Sequence, residues 1–577
     1  MPSTTALFTG LSGLNANTRS LDVIGNNIAN ANTTAYKSNR LLFSTQFSRN
    51  LSLGGVPGDS NGGSNPAQIG LGVRAAGTQR NFASGPLTAT GDSRDLAIEG
   101  DGFFIVGRGP NSADQFYTRN GAFRQNAIND LVTISGERLL GYGVDGNFNV
   151  VTGSLIPLNI PTGQLRLAEA TQNVRFTGNL NAGGTLSSRG ARIVFPALSN
   201  QTPAAITGAT LLTAVDDPNT TGEQPLYAVG DIIEIQGAEK GGKILPTVRL
   251  QITATNTVGD LLTAFNAALG IDTTASADPA GFTPGAQIDA TTGIITIVGN
   301  QGSFNDLRLD TTNLRHLAAN GSPYPVASPF GLGKAASADG ESVRNTFVVY
   351  DSLGNPLNVD VTLVLAGRDN SGTQWRYSLE SPDDTDINLL LGSGTIRFDN
   401  FGQLEPNQAP ITATIDRLAT GAVNPLTFTL AFQSPSANVT ALRDVRSSVA
   451  ATFQDGTPLG TLSSFAVGND GVITGAFTNG LTRTIGQVAV ANFANAEGLV
   501  DQGNNLFDIG PNSGTPIVTT PTLLGTGRIV GGSLEQSNVD LAQEFINLIQ
   551  ASTGYSASSR VITTTDQLIQ QLLAIGR

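Results

Sequence analysis

An apolar stripe at each end of the chain constrains its fold more than any other feature. Both stripes advance by alternating steps of four and three residues, which places their members on one narrow helix face and is typical of a coiled-coil seam. The first stripe comprises Leu7, Leu11, Leu14, Thr18, Leu21, Gly25 and Ile28. The second comprises Leu541, Phe545, Leu548, Ser552, Tyr555, Ser559, Ile562, Asp566, Ile569 and Leu573. We predict that the two terminal helices pair as a coiled coil, with the rest of the chain inserted between them.

The predicted first helix is rich in residues that disfavour helices. It begins near Ser3 or Thr4, either of which can serve as N-cap, and it frays near Asn30, because short amide side chains bond to nearby backbone groups. Each of its glycines and asparagines costs up to about 1 kcal/mol relative to Ala, so the isolated helix is marginal. Two interpretations stay open: an ordinary amphipathic core helix, and a segment that becomes ordered only on assembly.

The predicted second helix is long and has no obvious core of its own. Ser537 and Asp540 have capping-box spacing, and the helix from residue 539 to 575 would measure about 55 Å at 1.5 Å per residue. Gly554 marks a kink or a site of close packing. Such length without a local core suggests burial between several copies of the chain, and a bundle within one subunit is the alternative.

Composition excludes several classes of function. The chain has 577 residues, 39% of them hydrophobic, and a net charge of -13. This acidic balance argues against a nucleic-acid partner, and the lack of an apolar run of about 20 residues argues against membrane insertion. There is no Cys and a single His, which leaves no basis for a disulfide, a zinc thiolate site or a catalytic triad. The start of the sequence lacks the features of a cleaved secretory signal. We predict a non-enzyme without cofactor or metal.

Three local patterns imitate ligand sites. Residues 237–243 resemble a phosphate loop, but Ile244 occupies the position where Ser or Thr would bind magnesium, so a turn is favoured. Residues 525–531 resemble a dinucleotide loop with the wrong glycine spacing. Asp383, Asp384 and Asp386 lack the Gly and Glu of an EF-hand and favour a solvated acidic turn.

The interior of the chain has the two-residue period of β-strands. Asn120-Gly121 predicts a hairpin between a strand over residues 116–119 and the following Ala122 and Phe123. One helix is predicted from Thr257 to Leu269, with a capping box at its start and Gly270 at its end. A division into five parts follows: a terminal helical coiled-coil domain, 1–40 with 532–577; an extended linker or clasp, 41–77; a split β domain, 78–180 with 445–531; a middle β domain, 181–200 with 335–444; and an inserted outer domain, 201–334.

Several stretches resemble one known family. Residues 21–37, Leu-Asp-Val-Ile-Gly-Asn-Asn-Ile-Ala-Asn-Ala-Asn-Thr-Thr-Ala-Tyr-Lys, resemble the N-terminal signature of the bacterial flagellar rod and hook family, which usually carries Gly where this chain has Ala35. Residues 99–104, 117–123, 347–357 and 531–541 are similar to the same family. The resemblance covers roughly half of the chain.

The resemblance implies a mainly β, multidomain subunit of the flagellar hook whose N- and C-terminal helices pair. Such a subunit polymerises into a curved hollow tube, a flexible universal joint between rod and filament. The partners implied are other copies of the chain, the hook cap, distal rod and hook–filament junction proteins, and the type III export apparatus. The expected location is outside the cell, after export without a cleaved signal.

We predict an assembly interface at both ends of the chain. Its residues are Leu7, Leu11, Leu14, Leu21, Ile24, Asn26, Asn27, Ile28, Asn30, Tyr36, Lys37, Leu541, Phe545, Leu548, Tyr555, Ile562, Ile569 and Leu572. Two alternatives remain, a distal rod protein and a secreted β-rich adhesin or surface-layer protein. The large insertion near residues 180–440 argues against the first, and the terminal motifs argue against the second.

Overall fold

The chain divides into two compact units, and we describe each by itself. The structure is a computed structural model that describes residues 4–59, 61–109, 114–202, 204–218, 220, 222–324, 331–406, 408–434 and 437–575. The terminal unit comprises residues 1–166 and 461–577, and the central unit comprises residues 167–460. With 44% strand and 14% helix, the protein is mainly β, as predicted. The predicted division into five domains stays a prediction.

Three α-helices are present in the described chain. They are α1 (Thr4–Ala29), α2 (Val258–Ala268) and α3 (Leu541–Ile575). The predicted capping box of α2 is confirmed, since Thr257 accepts the Asp260 amide while the Asp260 carboxylate accepts the Thr257 amide. Gly270 follows at a φ of 59°, which ends the helix as predicted. Three short 3-10 helices complete the helical set: Leu212–Ala214, Ser303–Asn305 and Ala496–Gly498.

The β-sheet of the terminal unit interleaves strands from both ends of the chain. Its main path runs through Val472–Phe477, Thr482–Val488, Arg138–Val144, Phe103–Arg108, Asp114–Thr118, Leu506–Asp508 and Val500–Gly503. Edge-to-face aromatic contacts fill its core, among them Phe103 with Phe507 and Tyr117 with Phe493. Other strands of the terminal unit are Leu87–Ala89, Leu96–Glu99, Arg124–Gln125, Leu131–Val132, Val150–Pro157, Val490–Asn492, Ile517–Thr519, Arg528–Gly531 and Ser533–Glu535. Two further strands, Arg166–Glu169 and Thr457–Val467, include the residues at which the terminal unit ends and the central unit begins.

The hairpin predicted at Asn120-Gly121 is wrong. Asp114–Thr118 pairs instead with Phe103–Arg108 and Leu506–Asp508, and Ala122 bridges to Asp95. Gly121 is required there for close packing, since a Cβ at this position would lie 1.7 Å from the Leu96 carbonyl oxygen. A glycine that permits a close approach and one that permits a tight turn give the same sequence signal.

Residues 39–80 form a long hairpin. Asn39–Thr45 pairs antiparallel with Val73–Arg80, and Ser48–Ser52 pairs with Ala67–Gly70. The stretch predicted as an extended linker or clasp, residues 41–77, lies within this hairpin. Its Gly-, Asn- and Pro-rich part lies between the second pair of strands, where turn-forming residues are favoured.

Two large hydrophobic cores lie among the described residues of the central unit. One lies around α2 and the sheets that pack against it, with Phe265 and Ile297 fully buried. The other surrounds Trp375 in a four-stranded meander of Ser342–Tyr350, Pro356–Asp369, Gly372–Glu380 and Leu390–Asp399. The other strands are Asn173–Asn179, Gly190–Ala197, Ile232–Ile235, Glu239–Lys240, Lys243–Ile244, Val248–Gln251, Gly285–Asp289, Ile294–Gln301, Leu307–Arg308, Leu314–Leu317, Gly333–Ala336, Ile411–Ile415, Leu426–Ala431, Gln433–Ser434, Ala437–Thr440 and Ser448–Gln454.

Candidate assembly interface

The two terminal helices pack against each other in antiparallel fashion. Near the start of α1, a Cβ placed on Gly10 would lie 2.9 Å from Ile562 Cγ1, late in α3. Near the end of α1, Asn27 Nδ2 donates to Glu544 Oε1, early in α3, at 3.2 Å. The predicted pairing of the N- and C-terminal helices is thus confirmed.

The contact within the chain uses a different stripe from the predicted one. On α1 it involves Gly10, Gly13, Asn17 and Asn27, each one residue before a member of the apolar stripe. On α3, Glu544, Gly554 and Ser558 are displaced in the same way, although Ile562 also reaches α1. One residue corresponds to about 100° around a helix, so these contacts are rotated by about that angle from the apolar stripes. The physical reason is size, because small side chains let two helix backbones approach closely.

Several members of the apolar stripes remain exposed in the single chain. Of the predicted interface residues, Leu7, Leu14, Leu21, Ile28, Leu548, Ile562 and Ile569 are half-buried, and Leu11, Leu541, Phe545, Tyr555 and Leu572 are exposed. Other large side chains beside them are also exposed, including Phe8 at 68%, Ile549 at 63% and Leu573 at 67%. Exposed apolar side chains grouped on a helix pair are typical of interaction sites.

The asparagine motif at the end of α1 forms a hydrogen-bonded cluster within the terminal unit. Asn27 is fully buried, donates to the Asn39 carbonyl at 2.7 Å and accepts the Asn39 amide at 3.0 Å. The Tyr36 hydroxyl donates to Asn27 Oδ1 at 3.2 Å and accepts from Asn26 Nδ2 at 3.2 Å. Asn30, half-buried, donates to Asn26 and accepts from Thr33. Simple helix-end chemistry therefore explains Asn30, whereas Asn27 joins α1 to both the hairpin and α3.

Lys37 makes a fully buried ion pair. Its Nζ lies 2.6 Å from Glu535 Oε1, with both side chains at 0% exposure, and it also donates to the Ala83 carbonyl at 2.8 Å. Burial lowers the pKa of the Lys37 ammonium, and the facing Glu535 carboxylate opposes that shift. Arg119 is the nearest further cation, 3.8 Å from Glu535 Oε2. Glu535 was not singled out from the sequence, because it lies 498 positions from Lys37 and no local pattern links the two.

Ile24 is also buried, on the side of α1 that faces the chain. Together with Asn27, Tyr36 and Lys37, it is thus held inside the terminal unit, where it anchors the helix pair. The exposed stripe members lie about 100° around the helix from the inner contact and are accessible to another molecule. Of the predicted interface residues, Ile24, Asn27, Tyr36 and Lys37 are therefore buried in the terminal unit, whereas the exposed stripe members face solvent.

Ala35 adopts a left-handed backbone conformation with a φ of 59°. A glycine adopts this conformation without the Cβ strain that Ala carries. Ala35→Gly is therefore expected to raise the free energy of unfolding of the terminal unit by about 1 kcal/mol. The gain is smaller where the added freedom of Gly in the unfolded chain offsets the relief of strain. Chemical denaturation measures the difference, and a destabilised variant would show that the strain is absent.

Two glycines of α1 allow a matched comparison of the same substitution. Gly10→Ala is expected to destabilise the helix pair by about 1–2 kcal/mol, because the new methyl meets Ile562. Gly25→Ala is expected to stabilise it by about 0.5–1 kcal/mol, because no atom lies within 4 Å of the new Cβ and Ala is the better helix former. The midpoint of thermal helix unfolding, followed by far-UV circular dichroism, compares them. Equal shifts would contradict the glycine-lined seam.

The patterns that imitate ligand sites serve structural roles. Gly241 and Gly242 have φ values of 56° and 78° and form the turn that joins two short paired strands, so the favoured turn within residues 237–243 is confirmed. Asp383 and Asp384 accept the backbone amides of Asn358 and Asp416. Across the part of the chain that the structure describes, no group of three or more His, Cys, Asp or Glu could hold a metal, and no helix is long and apolar enough to span a membrane.

Comparison with known families gives four matches along the chain. They are the flagella basal body rod protein model at residues 7–37, the flagellar hook protein FlgE/F/G D1 domain at 97–182, the flagellar basal body protein FlaE D2 domain at 326–457, and the flagellar basal body rod FlgEFG protein C-terminal model at 530–575. Together they cover just over half of the sequence. The residues between 182 and 326, which include α2, lie outside these matches.

Proteins similar to this chain over nearly its whole length are known in several bacteria. The flagellar hook protein FlgE of Treponema pallidum is 27% identical, and the alignment covers 99% of each chain. FlgE of Escherichia coli is 26% identical, with 98% of each chain covered. Among solved structures, the Helicobacter pylori flagellar hook protein FlgE2 is 18% identical, with a TM-score of 0.36 over 77% of this chain and 98% of that one.

Proposed function

Because the chain belongs to the bacterial flagellar hook protein family, we propose that it polymerises into a curved hollow tube, a flexible universal joint between rod and filament. It is a structural subunit of the hook, so it lies in the flagellum outside the cell and assembles with other flagellar components. The two alternatives, a distal rod protein and a secreted adhesin or surface-layer protein, receive no support from these relatives.

The observation that carries the proposal is the exposed apolar face of the α1–α3 pair. α3 has 35 residues, about 53 Å at 1.5 Å per residue, and large apolar side chains are exposed along it from Leu541 to Leu573. Inside the chain the contacts of α3 with α1 include Gly10, Gly13, Asn17 and Asn27. Leaving such a face in water costs about 25 cal/mol per Å², a cost that contact with neighbouring copies removes. The assembly-interface residues proposed for this contact are the exposed and half-buried members of the two stripes.

The composition of the helices supports a proposal about delivery. α1 carries Gly10, Gly13, Gly25 and several asparagines, so it gains little stability from its own sequence. We propose that both helices are weakly ordered in the free subunit, pass through the type III export apparatus without a cleaved signal, and fold fully when buried between subunits. The hook cap, the distal rod and the hook–filament junction proteins are the specific partners proposed for the two ends of the tube.

Electron microscopy of negatively stained protein at high concentration tests the function directly. The full chain is expected to form curved hollow tubes. A chain ending at Asp540, which lacks α3, is expected to form none while keeping its β circular dichroism signal and the buried environment of Trp375. Tubes from the shortened chain would contradict the helix argument. Straight tubes from the full chain would favour a rod protein, and flat lattices a surface layer.

A point variant separates assembly from folding. Phe545→Ser combined with Ile549→Ser removes two side chains that are 53% and 63% exposed, so the thermal stability of the free subunit should change by less than about 0.5 kcal/mol. Assembly should be lost at concentrations where the unchanged protein forms tubes. Gln567→Ser, an exposed polar change on the same helix, is the control and should assemble normally. Normal assembly of the double variant would exclude this face from the interface.

A further inference from the structure

Three loops of the central unit expose four large aliphatic side chains. Leu353 is 47% exposed, Ile387 42%, Leu418 67% and Val423 69%. The loops touch one another: the Val423 amide donates to Ser352 Oγ at 2.8 Å, and the Leu418 amide donates to Thr385 Oγ1 at 2.9 Å. We call these four residues the three-loop patch. Leu353 lies in the stretch that resembles the family, but none of the chemistry described so far requires this side chain.

A buried ion pair fixes the three loops relative to one another. Arg417 Nη2 lies 3.0 Å from Asp351 Oδ2, and Arg417 Nη1 donates to the Asp383 carbonyl at 3.0 Å. Burial raises the pKa of Asp351. Hydrogen bonds from Asn355, the Leu353 amide and Arg417 lower this pKa more strongly and hold it below its usual range. The patch is therefore preorganised, so binding to it sacrifices little conformational entropy.

The rim of the three-loop patch is acidic. Asp386 is exposed and precedes Ile387 in the sequence, and Asp384 lies two positions before Asp386. Burial raises the pKa of Asp384, and the neighbouring Asp386 carboxylate adds to the shift. A cationic group brought to this rim would relieve the repulsion between the two carboxylates. The surface that fits the patch is thus apolar at its centre and basic at its edge.

The long hairpin of residues 39–80 has that character. It carries four arginines and one aspartate in a chain whose net charge is -13. Its outer part exposes Phe47 and Val56 at 87% each and Leu53 at 81%. Arg49 and Arg74 are exposed and have no ion-pair partner among the described residues. Exposed apolar side chains beside arginines that form no ion pair among the described residues complement an apolar patch with an acidic rim.

We propose that the outer part of the long hairpin, residues 47–74, docks on the three-loop patch of a second copy of the chain. This contact rests on the proposed function, since it forms between subunits of the tube. It joins a segment next to the terminal helices of one subunit to the central unit of another. Apolar contact supplies most of its affinity, and the charges at its edge select the register.

The absence of cysteine from the chain permits a direct test by cross-linking. Val56→Cys and Val423→Cys are prepared as separate full-length proteins, mixed in equal amounts, assembled and treated with a short bismaleimide. Covalent dimers are expected from the mixed tubes, and none from tubes that contain only Val56→Cys protein. Tubes without dimers would overturn the proposal. Failure of the unmodified chain to form any tube would instead contradict the proposed function.

Substitutions on both surfaces test the energetics of the contact. Leu418→Ser with Val423→Ser, and separately Arg49→Glu with Arg74→Glu, are each expected to raise the critical concentration for assembly about tenfold, which is about 1.4 kcal/mol. Adding Asp386→Arg to the arginine double variant should recover at least about a threefold part of that loss. Assembly of either double variant at the unchanged concentration, or the absence of recovery, would overturn the proposal.

Two control variants match these changes. Val229→Ser removes an aliphatic side chain that is 61% exposed elsewhere in the central unit. Arg124→Glu reverses an exposed charge elsewhere in the terminal unit. Both should assemble at the concentration of the unchanged protein. A loss equal to that of the test variants would show that the effect is general to surface charge or polarity and would contradict a specific contact.

Discussion

Replacing Lys37 with Met is expected to destabilise the terminal unit by about 3–5 kcal/mol. The substitution keeps the length of the side chain but leaves the Glu535 carboxylate, at 0% exposure, without the ammonium 2.6 Å away. Arg119, at 3.8 Å, is too distant to replace that hydrogen bond. Thermal unfolding followed by circular dichroism measures the loss. The only Trp of the chain, Trp375, lies in the central unit, so its fluorescence reports whether that unit is unaffected.

An exposed ion pair in the same unit is the control for Lys37. Arg94 and Asp92 lie 2.5 Å apart with side chains 44% and 38% exposed, so Arg94→Met should cost less than about 1 kcal/mol.

The double variant Lys37→Met, Glu535→Leu should recover part of the stability lost in Lys37→Met, because it removes the unpaired buried charge. Equal effects of Lys37→Met and Arg94→Met would show that burial does not determine the strength of these pairs.

Replacing Lys240 with Met is expected to destabilise the central unit by a similar amount, about 3–5 kcal/mol. Lys240 Nζ lies 2.5 Å from Glu380 Oε1, with the two side chains 2% and 4% exposed, and it also donates to the Gly270 carbonyl at 2.7 Å. It thus joins the end of α2 to the meander that holds Trp375. The thermal midpoint from Trp fluorescence should fall, whereas that of the terminal unit should not.

The control for Lys240 is a half-exposed pair of the same unit. Lys334 lies 2.7 Å from Asp306, with side chains 30% and 29% exposed, and Lys334→Met should cost about 1 kcal/mol or less. A Lys240→Met protein whose Trp fluorescence melts at the unchanged temperature would mean that Glu380 is neutralised or solvated after the substitution. That result would contradict the role assigned to this ion pair.

Local patterns predicted the elements that local chemistry determines. The end of α1 near Asn30, the capping box of α2 and the β character of the interior all follow from short-range rules. The pairing of the terminal helices also followed from their shared spacing. Apart from that pairing, these features depend on residues a few positions apart, for which side-chain and backbone preferences act directly.

The residues at the helix seam could not be predicted in the same way. Leu11 and Leu14 belong to the periodic apolar pattern, whereas the preceding glycines, Gly10 and Gly13, make the contact inside the chain. We propose the apolar pattern as a surface for a second molecule, and the spacing alone does not distinguish it from a surface for the chain itself. The Lys37–Glu535 pair was missed for a related reason, since its two members come from opposite ends of the chain.

A glycine-lined seam has a consequence for how a subunit leaves an assembly. Gly10 and Gly13 have no side chain and Asn17 has a polar one, so these three residues bring little apolar area to the contact with α3. Under the proposed assembly, neighbouring copies add to the stability of the helices, and that added stability follows mass action and rises with subunit concentration. Detachment of one subunit then requires its helices to lose their order as well as their contacts, which makes dissociation slow and the finished tube kinetically durable.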